Sequence, residues 1–428
     1  MPSHFDTLVA PITGASRAAV AVVRLSGPKS WEIANRLFNN IPTEPLKLQY
    51  GHFKHGDDGY VVLFEQGRSY TGDQSAECSI HGSPASVRAL IELAIQHGAR
   101  YAEPGEFTQR AFLNGRIDLT QAEAVRDTIE AETEVQLRIA NRQREGALYE
   151  VVKAIRDKLL GVLASIEASV DFSEEIGDLD RGNAADQLDD CAVRIQSLIQ
   201  AEKRSRLFRN GFRVALVGPP NAGKSSLLNA ILGTERSIVT AVPGTTRDFV
   251  EESIEFDGLP ITFLDTAGLR QTEDPVEQEG INRALKIART SDIIVYLYDA
   301  QGGYSEEDSW WIAELEKPVR IVANKCDLLE VEGGLSAKTG EGVRELLHEM
   351  REVAGEEPSV AVNARHRQPL EVALADISMA RATLVSDRPV DLATVSIQSA
   401  LRHLGEITGE TADPDMISRI FHDFCIGK

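Results

Sequence analysis

Hydrophobic positions follow three regimes along the chain. Up to about residue 118 they come in short runs separated by polar and glycine-containing stretches. Val20–Leu25 predicts a buried strand ending at Ser26-Gly27-Pro28, and residues 60–64 predict another. Val87–His97 predicts a helix with Leu90, Ile91, Ala94 and Ile95 on one face. From Leu119 to about Phe208 proline is absent and glycine sparse. Leu159, Leu163, Ile166 and Val170 recur at helical spacing, with a break at Gly177–Gly182, so long helices packed as a bundle are expected. From Gly211 strands and helices alternate. Arg213–Gly218 predicts a strand, followed by a glycine-rich loop and a helix from Ser225. Asp257-Gly258 lies between two apolar runs of Ile254–Asp265, a hairpin signal. Ile293–Ala300 and Val319–Ala323 are further apolar strands. After about residue 365 helical spacing returns, with Leu370, Ala373, Leu374 and Ile377 on one stripe.

This order predicts a multidomain chain: an α+β N-terminal domain over 1–118, an all-α helical domain over 119–210 and 363–428, and an inserted α/β domain over 211–362 with a doubly wound sheet. The length of 428 residues is ample for several cores. Composition adds limits rather than detail. With 42% hydrophobic and 26% charged residues the chain is neither disordered nor fibrous. A net charge of -21 argues against a generally basic, non-specific nucleic-acid binder. Cys78, Cys191, Cys326 and Cys425 are scattered, with no CxxC pair, so neither a zinc site nor a disulfide framework is expected. With no apolar run long enough to span a membrane and no secretory leader pattern, a cytoplasmic protein is expected.

The chemistry is concentrated in the inserted region. Gly218-Pro-Pro-Asn221-Ala222-Gly223-Lys224-Ser225 fits G-x-x-x-x-G-K-[ST] between a strand and a helix. In that context backbone N–H groups cradle phosphates, Lys224 meets the β and γ phosphates, and the Ser225 hydroxyl, next to Ser226, binds Mg2+. Asp265-Thr266-Ala267-Gly268 closes a strand, where an aspartate holds Mg2+ through water and the Gly268 N–H senses the γ-phosphate. Thr245 and Thr246 lie between the phosphate helix and the hairpin, where a threonine completes Mg2+ coordination only with the γ-phosphate present. Asn324-Lys325-Cys326-Asp327 offers a carboxylate for guanine N1–H and its amine, and Ser336-Ala337-Lys338 an N–H for the guanine oxygen. Five elements in this order imply a GTP-binding domain. Leu269 stands where many GTPases carry a water-orienting glutamine, so hydrolysis needs another group or a partner. Glu273, Asp274, Glu277 and Glu279 are candidates, each equally readable as part of a solvated acidic loop. Arg247 and Arg270 are candidate charge-neutralising groups, and Asn221 is suited to a monovalent cation or to loop capping.

Outside this region the chain carries Asp6-Thr-Leu-Val-Ala10, Arg24-Leu-Ser-Gly27, Ser69-Tyr-Thr-Gly-Asp73, Pro104-Gly-Glu-Phe-Thr108, Arg110-Ala-Phe-Leu-Asn-Gly115, Leu119-Thr-Gln-Ala-Glu-Ala124 and a terminal Phe424-Cys-Ile-Gly-Lys428. With these motifs around the GTPase elements, the chain resembles the MnmE (TrmE) family of tRNA-modification GTPases over essentially its whole length. The resemblance implies an N-terminal folate-binding and dimerisation domain, a helical domain and an inserted G domain. It implies modification of carbon 5 of the wobble uridine of certain tRNAs, with a tetrahydrofolate derivative (5-formyl or methylene form). The partners it implies are tRNA, a second copy in a homodimer, and the FAD-dependent MnmG (GidA). It further implies potassium-dependent GTP hydrolysis, with Asn221, Thr240, Val242 and Thr245 around K+ and Glu277 as the catalytic glutamate. For folate it points to Arg24, Glu77, Arg116 and Lys428, and for the modification step to Cys425. The chain departs from the family at Pro219, where an arginine is usual, in the early loop Ala15–Ala19, and at Arg116, where lysine is common.

Two other readings compete. One is a regulatory GTPase switch of the ribosome-assembly type, without modification activity; a basic RNA-binding module would mark it, and none is visible. The other is a folate-dependent one-carbon transferase regulated by GTP.

Overall fold

The computed structural model describes residues 6–14, 16–172, 175, 177–234, 236–237, 250–265, 289–313, 317–386 and 388–428. The chain forms two compact units. The first comprises Met1–Arg126, Gln143–Ile195 and Gln368–Lys428, and the second Asp127–Arg142 and Gln196–Arg367.

The first unit contains a six-stranded sheet ordered β3-β4-β5-β2-β1-β6, made of β1 (Thr7–Pro11), β2 (Ala18–Ser26), β3 (Gln49–His52), β4 (Asp58–Phe64), β5 (Ser75–Gly82) and β6 (Ala99–Tyr101). β1 pairs antiparallel with β2 and parallel with β6, so this sheet is mixed. Strand alternation sends Val23, Leu25, Val61, Ala76, Cys78 and Ile80 to one buried layer. Helices α1 (Ser30–Leu37) and α2 (Pro84–Gln96) cover it with Ile33, Leu37, Leu90, Ile91 and Ala94. Ile95, expected on the same face of α2, is instead 43% exposed. Ser83 caps α2 and Pro84 begins it, which sets the start three residues before the expected Val87.

Helix α3 (Glu106–Leu113) is followed by α4 (Leu119–Glu130), α5 (Glu134–Arg144), α6 (Ala147–Asp171) and α7 (Arg181–Asn210). The expected break between the last two falls where α6 ends and α7 begins. Leu159, Leu163 and Ile166 are buried on α6, whereas Val170, in its last turn, is 49% exposed. In the first unit α6 packs against α12 (Leu392–Thr408), and the chain closes through α13 (Pro414–His422).

The second unit holds the other six-stranded sheet: β7 (Phe212–Val217), β8 (Arg236–Ser237), β9 (Val250–Phe256), β10 (Leu259–Asp265), β11 (Ile293–Asp299) and β12 (Val319–Asn324), ordered β12-β11-β7-β10-β9-β8. The central β7 is parallel to both β10 and β11, and β9 is antiparallel to β10. Both faces are buried. Val214, Leu216, Val295 and Leu297 join one cluster, while their neighbours Ala215, Val217, Ile294 and Tyr296 join another. This is the expected doubly wound sheet, and its apolar runs are continuous because neither face meets water. Helices α8 (Lys224–Thr234), α9 (Glu306–Ala313) and α10 (Val343–Ala354) belong to this unit. Helix α11 (Ala364–Leu384), which belongs to the first unit from Gln368 on, buries Leu370, Ala373 and Ile377 of the expected stripe, but Leu374 only half.

Candidate functional site

The phosphate-loop motif lies between the end of β7 and the first turn of α8. Its glycines are dictated by space. Gly218 has φ +150°, and a Cβ there would sit 2.0 Å from the Leu297 carbonyl oxygen. Gly223 has φ +94°, and a Cβ would sit 2.2 Å from Asn324 Nδ2. Asn221 also takes a left-handed φ of +65°, tolerable for asparagine. The loop therefore wraps back on itself with its amides at a helix N-terminus, a cradle that suits an anion. Lys224 Nζ donates to Gly218 O (2.8 Å) and Pro219 O (2.9 Å), placing its charge at the loop. Ser225 and Ser226 lie exposed in the first turn of α8.

The guanine motifs meet this loop through one side chain. Asn324 is 2% exposed. Its Nδ2 donates to Ala222 O (2.7 Å), and its Oδ1 accepts from Lys325 N (2.8 Å) and Ala337 N (2.9 Å). A single amide thus ties the phosphate loop to both Asn324–Asp327 and Ser336–Lys338. The buried Ser336 hydroxyl donates to Asp327 Oδ1 (2.7 Å), orienting that carboxylate, and Lys338 Nζ lies 4.0 Å from Asp327 Oδ2. Asp265 ends β10, opposite Leu216 on β7 and Val250 on β9. Thr240, Val242, Thr245, Thr246, Thr266, Ala267, Gly268 and Glu277 lie outside the described residues, as do Arg247, Leu269, Arg270, Glu273, Asp274 and Glu279.

In the first unit Arg24 and Glu77 face each other in register on β2 and β5. Arg24 Nε donates to Glu77 Oε1 at 2.9 Å. The guanidinium lies 4.8 Å from the centre of the Tyr70 ring and 5.4 Å from that of Phe107. The Tyr70 hydroxyl shares a hydrogen bond with Thr108 Oγ1 (2.9 Å), and burial raises its pKa. Lys428 is within electrostatic range of the pair: burial, then Arg24, lower its pKa, while Glu77 and Cys425 oppose the shift. The C-terminal segment is seated by backbone contacts. Phe107 N donates to Lys428 O (3.1 Å), and a Cβ on Gly427 would sit 2.1 Å from Pro11 O. Cys425 is exposed while Phe421 and Phe424 beside it are buried, so it is not a core cysteine. Arg116, also exposed, donates to Gly67 O (2.9 Å). A planar, amide-bearing ring with an anionic tail fits a carboxylate beside aromatic faces and two cations.

Comparisons with known proteins decide the family. The profile described as the MnmE helical domain matches residues 119–425, and that of the GTP-binding protein TrmE N-terminus matches residues 7–116. The tRNA modification GTPase MnmE of Carboxydothermus hydrogenoformans is 37% identical over 458 residues, covering 99% of both chains. The chain belongs to the MnmE family of tRNA modification GTPases. MnmE of Aquifex aeolicus is likewise 37% identical, over 99% of this chain and 100% of its own. Among solved structures, Aquifex aeolicus Era bound to GDP.AlF4- is similar over 39% of this chain and 67% of its own, at 27% identity and a TM-score of 0.28. As a member of the MnmE family the chain is a GTP hydrolase acting in tRNA modification, which takes GTP with Mg2+ and has tRNA as its substrate. Among the described residues no helix is long and apolar enough to cross a membrane.

Several residues at these sites escaped the sequence reading. Tyr70 and Phe107 flank Arg24 although they stand far from it in sequence. Asp299 binds Lys325. The one signal for it was its place at the end of an apolar parallel strand, the position Asp265 holds on β10.

Proposed function

We propose that this MnmE-family GTPase modifies carbon 5 of the wobble uridine of certain tRNAs, with a tetrahydrofolate derivative and the FAD-dependent partner MnmG, as a cytoplasmic homodimer whose GTP hydrolysis depends on potassium. The observation that carries the GTP site is Asn324, whose amide joins the phosphate loop to both guanine motifs. In this reading Gly218, Asn221, Ala222, Gly223 and Lys224 hold the phosphates. Ser225 and Thr246 ligate Mg2+, supported by Asp265. Asp327 reads the guanine edge and Ala337 N–H its oxygen. Asn221, Thr240, Val242 and Thr245 surround K+, whose charge offsets that developing on the phosphates. Glu277 orients the attacking water.

The Arg24–Glu77 pair supports the folate reading. Glu77 would pair with the amide and amino edge of a pterin, and Arg24, held against Tyr70 and Phe107, would with Lys428 and Arg116 balance the anionic tail. The bound folate supplies the one-carbon unit. Cys425, which is exposed and near Lys428, takes part in the modification step in this reading.

The test is mass spectrometry of tRNA nucleosides from a strain lacking the gene, complemented by wild type, Lys224→Ala or Cys425→Ser. Carbon-5-substituted wobble uridine should vanish on deletion and return only with wild type. Unchanged nucleosides in the deletion strain would sink the modification role and favour a regulatory GTPase.

A further inference from the structure

The lysine of the guanine motif is held by a carboxylate that belongs to no motif. Asp299 is the last residue of β11 and sits opposite Asn324 in the β11–β12 register, one residue before Lys325. Lys325 Nζ donates to Asp299 Oδ2 at 2.7 Å. The carboxylate is itself fixed. Its Oδ1 accepts from Gln301 N (3.0 Å), and Gly302 N and Gly303 N both close on the Asp299 carbonyl (3.0 Å each). The hydrogen bond from Lys325 holds the Asp299 carboxyl below its usual range, so it remains an anion at neutral pH.

Lys325 is constrained from its backbone too. Its φ is +66°, a conformation that persists in a residue with a side chain only where the surroundings enforce it. Its N–H is bound by Asn324 Oδ1, the oxygen that also takes Ala337 N. Asp299 therefore stands at one end of a polar bridge that runs through Lys325 and Asn324 to Ala222 in the phosphate loop. Lysine has a flexible stem, and ordering it when a nucleotide arrives costs conformational entropy. A lysine already held by a fixed carboxylate avoids most of that cost.

We propose that Asp299 is a positioning residue for guanine nucleotides, acting through Lys325. The inference rests on Lys325 belonging to the nucleotide site. Since the contact lies at the guanine motifs and not at the phosphate loop, it serves guanosine diphosphate and triphosphate alike.

The experiment measures binding and release of a fluorescent GDP and a non-hydrolysable GTP analogue, with Mg2+, on the full chain. The variants are Asp299→Ala, Asp299→Asn, Lys325→Ala and the Asp299→Ala/Lys325→Ala double substitution, each with a melting temperature. Asp299→Ala should weaken both nucleotides roughly two- to tenfold, mainly through faster release. Asp299→Asn, which keeps an acceptor oxygen, should recover part of the loss. The double substitution should bind no more weakly than Lys325→Ala alone, and KM for GTP should rise with kcat little changed. Loss of the same factor on the Lys325→Ala background overturns the inference, because Asp299 would then act without the lysine. A lowered melting temperature with unaltered affinity in Asp299→Ala overturns it as well, marking a structural role. If Lys325→Ala weakens binding and Asp299→Ala does not, the inference alone fails. Unchanged affinity in Lys325→Ala overturns the site assignment and the inference together.

Discussion

At the scale of single residues, the motifs outside the GTPase region have a concrete cause in Arg110. Its side chain is only 4% exposed, yet it carries a full charge. It contacts the Asp6 carboxylate, donates to Asp6 O (3.0 Å), and lies 3.6 Å from Asp73 and 3.7 Å from Glu106. Arg100 joins through Glu106 (2.6 Å) and Asp6 (2.8 Å). Removing one member of such a network strands the others, so Arg110→Ala should cost about 3 kcal/mol in denaturant unfolding. The pH dependence has a definite sign. Burial alone would raise the Asp6 carboxyl, but bonds from Arg100 and Arg110 outweigh it and hold its pKa below the ordinary 3.8. That contribution is complete above pH 3.8 and is lost as pH falls through the folded value. The stability gap between wild type and Arg110→Ala should therefore narrow in acid, and a gap that widens would contradict this account. The charged residues were visible in the sequence as motifs, but their grouping was not. Asp6 and Arg110 belong to distant segments; the β1–β6 pairing sets Thr7 opposite Ala99, shortly before α3, which carries Arg110.

At the scale of elements, the hairpin β9–β10 shows what a sequence can and cannot announce. Asp257 and Gly258 have φ of +46° and +77°, a tight turn that the Asp-Gly pair signals directly. Nothing local announces that helix α5 sits against its tip. A Cβ on Gly258 would lie 2.2 Å from Val135 Cγ2. Gln136 Nε2 holds Arg209 O (2.9 Å), and Arg138 and Arg142 both grip Glu357 at 2.9 Å and 2.6 Å. Gly258 is therefore demanded twice, by its dihedral and by its neighbour. Gly258→Ala should lose about 2 kcal/mol or more, combining left-handed strain with a clash against a stiff β-branched side chain. Adding Val135→Ala should recover the clash but not the strain, so the double variant should be more stable than the two losses summed. Strict additivity in urea unfolding would show that the contact is not what constrains the site. The phosphate loop and guanine motifs were legible because each is a short run with its own dihedral demands. The Asn324 bridge between them is a tertiary contact and was not.

At the scale of the whole molecule, the two units predict thermal behaviour. A ligand that binds the folded state alone stabilises what it binds, by about 2.7 kcal/mol at a hundredfold excess over Kd. Scanning calorimetry should resolve two transitions, and GDP with Mg2+ should move only one of them. Lys224→Ala should abolish that shift and leave the other transition in place. One transition that moves as a whole would mean the units melt together.

The threading of the chain through these units has a consequence for its synthesis. Helix α6 buries Leu148, Val152, Ile155, Leu159 and Ile166, and part of what covers this stripe in the first unit is α12. Every residue of the second unit from Gln196 to Arg367 leaves the ribosome between those two helices. During that interval the stripe on α6 lacks its late partner, while the GTPase sheet has all its strands in hand. Vectorial synthesis thus leaves the α6 stripe as the apolar surface a chaperone would cover, because the first unit's own sheet, Thr7–Tyr101, has emerged earlier still.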